Sequence, residues 1–232
     1  MPAAKGRTVA ERQGGTRQPQ TARAGAEDAS RSALKHNAIL AAATEVFLRD
    51  GYLGAGMDEI AALSAVSKQT VYKHFASKEA LFIEIVTSMT GAAGDSVHTE
   101  PPDVDEGFDV RAYLLDYALR QLTVVLTPRL MQLRRLVIGE VSRFPDLASV
   151  LYERGPARAM AALAVTFERL AAEGHLEFDD AGVAASHFNW LVMSQPLNQA
   201  MLLGDAAIPK RTELRRHAEE GVRVFLAAYR TK

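Results

Sequence analysis

Residues 56–75 read GMDEIAALSAVSKQTVYKHF, and two short helical patterns lie within this stretch. Ile60 and Leu63 give a first short helix an apolar face, and Val71 and Phe75 do the same for a second. Only a few residues separate the two helices, so the second cannot pack parallel to the first. The pattern predicts a helix-turn-helix, a unit that can place its second helix in the major groove of DNA.

The second helix separates its side chains by chemistry. At about 100° per residue, Gln69, Thr70 and Lys73 lie opposite the apolar pair. Glutamine can pair with adenine, threonine can contact a thymine methyl group, and lysine can contact phosphate. A polar face on a short helix is also often simply hydrated, so this pattern alone leaves DNA binding open. The residues that we expect to contact DNA are Lys68, Gln69, Thr70, Tyr72, Lys73, His74 and Lys78.

From Leu34 to about Val86 the sequence resembles the DNA-binding domain of the tetracycline-repressor (TetR) family. The resemblance is carried by Gly51-Tyr52 after the first helix and by the string VSKQTVYKHFASKEALF at 66–82. It implies base contacts from the second helix of the motif and phosphate contacts from the positions of Tyr72, His74 and Lys78.

Two positions depart from the family pattern. The family usually has glycine in the turn, where this chain has Ala65. If that residue is left-handed, alanine costs on the order of 1 kcal/mol relative to glycine. The family favours threonine or serine at the start of the first helix of the motif, where this chain has Ala55-Gly56. Because glycine has no hydroxyl, we expect no side-chain phosphate contact there.

The first residues have a different composition from the rest. Residues 1–31 are rich in Ala, Gly, Arg, Gln and Thr and carry six Lys or Arg against three Asp or Glu, a net charge of +3. We expect a disordered tail, and the alternative is an arginine arm that contacts a polyanion. The DNA-binding domain is expected at 32–90, followed by a helical domain at 91–232.

The overall composition is that of a globular protein. Of 232 residues, 48% are hydrophobic and 24% are charged, and the net charge is −1. The absence of cysteine excludes disulfides, thiolate metal sites and cysteine nucleophiles. No apolar stretch approaches the roughly 20 residues of a membrane span, and the start lacks the apolar core of a secretory signal, so we expect a cytoplasmic protein. A near-neutral charge weakly disfavours nucleic acid, but Lys68, Lys73 and Lys78 gather at one end of the motif.

Residues 91–232 show helical periodicity and no sustained alternation. We therefore predict an all-α protein with an N-terminal three-helix helix-turn-helix domain followed by a larger helical ligand-binding and dimerisation domain. Residues 135–163 are similar to the AefR-like branch of the family's regulatory domains. In the family this half of the chain binds a small ligand and forms the dimer.

A dimer can also be argued from the last two helices. The helix at 181–203 is apolar nearly all round, so it must be buried on all sides, and a second subunit can supply that burial. We expect a four-helix interface about a twofold axis, with ordinary core packing as the alternative. The expected interface residues are Phe188, Leu191, Met201, Ala218, Val222 and Phe225.

For the ligand, aromatic and methionine side chains with a few polar groups favour an apolar or aromatic compound, and Arg134 can pair with an anionic one. The candidate cavity residues are Tyr113, Tyr117, Gln121, Met131, Arg134, Phe167 and Trp190.

Motifs typical of enzymes are absent from the sequence: it has no glycine-rich phosphate loop, no HExxH and no GxSxG. The segment HLEFDD at 175–180 has metal-binding composition, but its position before a helix favours a loop and an N-cap. We predict no catalytic residue, metal or cofactor. The predicted function is a ligand-responsive transcriptional repressor that binds a palindromic operator in double-stranded DNA as a homodimer and is released by a small-molecule inducer. The alternative is a helical small-molecule-binding or adaptor protein with a vestigial motif.

Overall fold

The computed structural model describes residues 20–98, 102–104 and 107–231, with side chains from residue 29 onward. Within these ranges the chain forms ten α-helices and no β-strand, which confirms the all-α prediction. The helices are α1 (Gln20–Gly54), α2 (Met57–Leu63), α3 (Lys68–His74), α4 (Lys78–Val97), α5 (Val110–Val125), α6 (Pro128–Gly139), α7 (Pro145–Tyr152), α8 (Arg158–Ala172), α9 (Ala181–Leu203) and α10 (Arg211–Tyr229). A π-helical turn, Glu153–Ala157, joins α7 to α8.

Helix α1 begins at Gln20, inside the segment predicted as a disordered tail. The helix therefore starts earlier than the sequence indicates, because Ala, Arg and Gln are good helix formers even without an apolar stripe. Residues 1–19 lie outside the described residues. The regular part of α1 ends at Gly51, whose φ of 74° and ψ of 176° are accessible to glycine and strained for other residues.

The first hydrophobic core lies among the four helices α1, α2, α3 and α4, and side chains from α6 and α7 complete it. Its fully buried members include Phe47, Ile60 and Phe82, while Val137 of α6 and Leu147 of α7 pack into the same cluster. The helix-turn-helix domain therefore packs directly against α6 and α7 and shares one hydrophobic core with them.

The second core lies among α5, α8, α9 and α10. Phe167, Phe188 and Phe225 meet at its centre, with ring centroids 5.1–5.8 Å apart. Helix α4 contributes to both cores, through Leu81 near its start and Val97 at its end. One helix therefore runs from the base of the helix-turn-helix into the C-terminal bundle.

None of the helices in the described ranges is both long enough and apolar enough to cross a bilayer.

Candidate DNA-binding surface and internal cavity

Helix α3 is held by its apolar face and its N-cap. Val71 is fully buried and Phe75 is 3% exposed, so the predicted inward face is confirmed. The Ser67 hydroxyl accepts a hydrogen bond from the Thr70 backbone N–H at 3.1 Å, which caps the helix as expected. The remaining side chains of α3 consequently project in fixed directions.

The outward face of α3 is exposed and largely free of partners within the subunit. Lys68, Gln69, Tyr72 and Lys73 are all exposed. Among the described residues, neither Gln69 nor Lys73 has a side-chain hydrogen bond or ion pair, whereas Lys68 pairs with Asp58 at 2.9 Å. The face thus presents an amide, a phenol and an ammonium that are available to a partner.

The other expected DNA contacts are engaged within the chain. Thr70 is half-buried, and its hydroxyl lies 2.8 Å from the Ser67 hydroxyl. The Lys78 ammonium donates to the Leu53 carbonyl oxygen at 3.3 Å and lies 5.0 Å from the centre of the Tyr52 ring. Burial lowers the pKa of Lys78.

His74 is half-buried beside His36 of α1, which is not among the predicted DNA contacts. The ring centres of His74 and His36 lie 5.9 Å apart. His36 in turn stacks on Phe75 at 4.8 Å and forms a 2.9 Å hydrogen bond with Glu84 of α4. These contacts tie α1, α3 and α4 together. Because they join residues far apart in the chain, helical periodicity could not reveal them.

An internal cavity of about 80 Å³ lies between α4, α5, α6, α9 and the π-helical turn. Its walls are mainly apolar. The residues that line it are Thr90, Ala93, Gly94, Val97, His98, Gln121, Val125, Leu130, Met131, Leu133, Arg134, Leu151, Gly155, Pro156, Ala159, Asn189 and Met193.

Three of the seven candidate cavity residues line this space: Gln121, Met131 and Arg134. Tyr117 does not line the cavity, but its hydroxyl lies 3.0 Å from Nδ1 of the lining residue His98. Burial raises the pKa of Tyr117. Burial, reinforced by the cations Arg158 and Arg120, lowers the pKa of His98.

The other candidates lie elsewhere. Phe167 is fully buried in the second core, and Tyr113 packs against that core. Trp190 is 46% exposed on the outer side of α9, so its assignment to the cavity is wrong. The sequence cannot show which side of an almost uniformly apolar helix faces inward.

Two polar lining residues meet in the cavity wall. The Gln121 Nε2 group donates to Asn189 Oδ1 at 2.9 Å, and each residue is 3% exposed. Asn189 is not among the predicted cavity residues. The sequence does contain a signal for it, because an amide in a nearly apolar helix requires a buried partner.

Four of the six expected interface residues have no surface to offer a partner. Phe188, Ala218, Val222 and Phe225 are fully buried among side chains of their own chain, which corrects that prediction. The small residues of α10 instead allow close packing within the subunit. A Cβ atom at Gly221 would lie 3.3 Å from the Leu191 carbonyl oxygen of α9. Leu191 and Met201 are half-buried at the edge of this packing.

Asp180 serves as the N-cap of α9 and accepts from the Val183 backbone N–H at 2.9 Å. Across the described residues, no group of three or more His, Asp or Glu side chains is placed to hold a metal ion.

Comparison with known families gives two matches along the chain. Residues 39–85 match the family described as "Bacterial regulatory proteins, tetR family". Residues 112–231 match "AefR-like transcriptional repressor, C-terminal domain".

Solved structures match most of the chain. A TetR-family regulator from Mesorhizobium loti is 38% identical, with a TM-score of 0.81, and the match covers 87% of this chain and 99% of that one. The flavonoid-responsive regulator FrrA is 30% identical, with a TM-score of 0.70, and the match covers 84% and 97%.

Curated relatives match over shorter segments. The transcriptional activator FasR of Mycolicibacterium smegmatis is 50% identical over 48 residues, 21% of this chain and 22% of that protein. The transcriptional repressor NicS of Pseudomonas putida is 28% identical over 101 residues, 40% of this chain and 48% of that protein. The matched segments therefore span less than half of these curated relatives.

Proposed function

Because the chain belongs to the TetR family of DNA-binding transcriptional regulators, we propose that it is a ligand-responsive repressor that binds a palindromic operator as a homodimer. The family consists of regulators and not of enzymes. The observation that carries the proposal is the outward face of α3, on which Gln69, Tyr72 and Lys73 are exposed opposite a buried Val71.

The chemistry of this face suits a major groove. The Gln69 amide can pair with an adenine edge, and the ammonium of Lys73 and the hydroxyl of Tyr72 can reach phosphate oxygens. Lys68 would exchange its exposed ion pair with Asp58 for a phosphate, at little cost because exposed pairs contribute at most about 1 kcal/mol. Thr70, His74 and Lys78 flank these residues and complete the proposed contact set.

A homodimer would place two copies of α3 in successive major grooves. The surface that supports it is the outer side of α9 and α10, where Val183, Trp190, Leu202 and Val224 are 38–80% exposed. Large apolar side chains exposed along neighbouring helices are typical of subunit interfaces. A twofold axis through this surface predicts an inverted-repeat operator with half-sites about one helical turn, or roughly 34 Å, apart, or somewhat more.

Release by an inducer would act through α4. Thr90, Gly94 and Val97 of this helix line the cavity, and Leu81 and Phe82 of the same helix lie in the core beneath the helix-turn-helix. Arg158 of α8 also holds Asp95 of α4 at 2.5 Å. A ligand that binds more tightly to a shifted α4 would favour a spacing of the two motifs that does not fit the operator. A regulator of this kind would act in the cytoplasm.

Gel retardation of DNA from the gene's own upstream region tests the DNA-binding face. Lys73→Ala removes a charge-assisted phosphate contact and should weaken binding by roughly tenfold or more. Tyr72→Phe removes one neutral hydrogen bond and should weaken it by about two- to tenfold.

Two matched changes serve as controls. Arg211→Ala removes an exposed cation from the start of α10, and Tyr152→Phe removes an exposed hydroxyl from α7. Both should retard the DNA like the unaltered protein. Unchanged retardation by Lys73→Ala and Tyr72→Phe would contradict the assignment of this face. Absence of retardation by the unaltered protein would instead favour a small-molecule-binding protein with a vestigial motif.

A further inference from the structure

The cavity wall contains a positive charge that no carboxylate in the described part of the chain balances. Arg134 of α6 is half-buried in the cavity wall. No carboxylate or hydrogen-bond acceptor among the described residues pairs with it, and burial lowers the pKa of its guanidinium. The adjacent Arg135 forms an ion pair with Asp205 and donates to the Ala200 carbonyl oxygen at 3.0 Å. Since a partly desolvated charge without a partner is unfavourable, the site favours an anion.

A second polar group in the same wall also lacks a partner. Gln121 is 97% buried, since only 3% of it is exposed, and its Nε2 group is used by Asn189. Its Oε1 is the one buried side-chain oxygen or nitrogen in the described part of the chain that has no hydrogen-bond partner. An acceptor left unsatisfied at such depth calls for a ligand with a hydrogen-bond donor.

The rest of the wall determines the shape of the ligand. Val97, Leu133 and Leu151 are apolar, and Met131 and Met193 are flexible side chains that can adapt to an aromatic ring. The volume of about 80 Å³ is roughly half that of a cavity that holds benzene. A single ring therefore fits only when the wall gives way, at the methionine side chains or at the lining helices, of which α4 is one.

We propose that the cavity binds a small aromatic carboxylate that carries a hydroxyl group. The carboxylate pairs with Arg134, the ring packs against Met131 and Met193, and the hydroxyl donates to Gln121 Oε1. The assignment names the chemical class of the inducer, and its consequence for regulation rests on the proposed function. It excludes organic cations, which the Arg134 charge repels.

Calorimetric titration of the full chain with 2-, 3- and 4-hydroxybenzoate, and with the corresponding neutral hydroxybenzamides, tests the ligand class. At least one hydroxybenzoate should bind, and it should bind roughly tenfold or more tightly than its amide, because the amide lacks the charge that Arg134 pairs with. It should also bind more tightly than unsubstituted benzoate, which cannot donate to Gln121. Failure of all three hydroxybenzoates to bind, or equal affinity for acid and amide, would overturn the assignment.

Substitutions at Arg134 separate its charge from its bulk. Arg134→Gln should abolish the preference for acid over amide, and Arg134→Lys should restore part of it. Arg129→Gln, an exposed position on the same helix, is the matched control and should keep the full preference. Thermal unfolding of the unliganded Arg134→Gln variant should show no loss of stability, because the substitution removes an unpaired charge. A preference for the acid that survives in Arg134→Gln would contradict the proposal.

Gel retardation with the same preparations distinguishes this inference from the proposed function. The preferred hydroxybenzoate should release DNA from the unaltered protein and from Arg129→Gln, but not from Arg134→Gln at the same concentration. If the acid binds through Arg134 and no preparation retards DNA, the repressor proposal fails while the ligand class stands. If DNA is bound and no acid binds, the repressor proposal stands and the ligand class fails.

Discussion

Ala65 lies in the turn between α2 and α3 with a φ of 53°, and it is the one non-glycine residue with a positive φ in the described part of the chain. This backbone region brings the alanine Cβ too close to the carbonyl oxygen, at a cost of roughly 1–2 kcal/mol. The turn thus keeps the left-handed geometry that glycine adopts without strain. Its conformation is held by the buried residues on either side, Ile60 and Val71.

Replacing this residue measures the strain. Ala65→Gly should raise the free energy of unfolding by about 0.5–1 kcal/mol, because relief of the left-handed alanine exceeds the entropy that glycine adds to the unfolded chain. Urea denaturation of the full chain followed by circular dichroism measures the change. Ala62→Gly, at an exposed position inside α2, is the matched control and should lower stability by about 1 kcal/mol. A loss of stability in both variants would show that the turn is not strained.

The short helices of the motif could be predicted from the sequence because their signals are local. Ser67 and Ser77 each cap a helix at the expected position, and Val71 and Phe75 bury the expected face. The cavity could be predicted only in part. Gln121, Met131 and Arg134 line it, but the partnership of Gln121 with Asn189 joins residues 68 positions apart.

In helix α9, the periodicity of apolar residues does not predict which side of the helix is buried. Phe188 and Trp190 stand two positions apart on a helix that is apolar nearly all round, yet Phe188 is fully buried and Trp190 is 46% exposed. Only the packing of α8 and α10 against α9 decides which side faces the core. The sequence therefore identifies the helices of the proposed interface but not the residues that form it.

Trp190 provides a direct test of the proposed interface. Trp190→Asp places a charge on the exposed apolar side of α9, and it should shift the protein from dimer to monomer at micromolar concentration in sedimentation velocity. Because Trp190 is the single tryptophan of the chain, its fluorescence in the unaltered protein should shift to longer wavelength on dilution. Val141→Asp, at a 43% exposed apolar position after α6, is the control and should remain dimeric. A monomeric unaltered protein would contradict the interface.

At the scale of the whole molecule, α4 links the two ends of the subunit. Its first turns pack beneath the helix-turn-helix, and its last turns form one wall of the cavity. The cavity of about 80 Å³ is smaller than one that holds a single aromatic ring, so we propose that a ligand displaces part of its wall, of which α4 is one side. Such a displacement is the physical basis on which a ligand could bias the spacing of two DNA-binding units.

The net charge of the molecule affects its affinity for DNA. Because the net charge is −1, we propose that attraction to DNA depends on a few lysines on and beside α3 and not on a broad basic surface. Non-specific binding should therefore be modest, and loss of a single contact should have a large relative effect on specific binding.

DNase footprinting of the upstream DNA with the unaltered protein and with Lys73→Ala tests whether the outward face of α3 holds the protein on its operator. We expect a protected region of inverted-repeat sequence, with half-sites about one helical turn apart, and protection of both half-sites should require a much higher concentration of Lys73→Ala. The absence of any protected region, or protection that Lys73→Ala reproduces at the same concentration, would contradict this expectation.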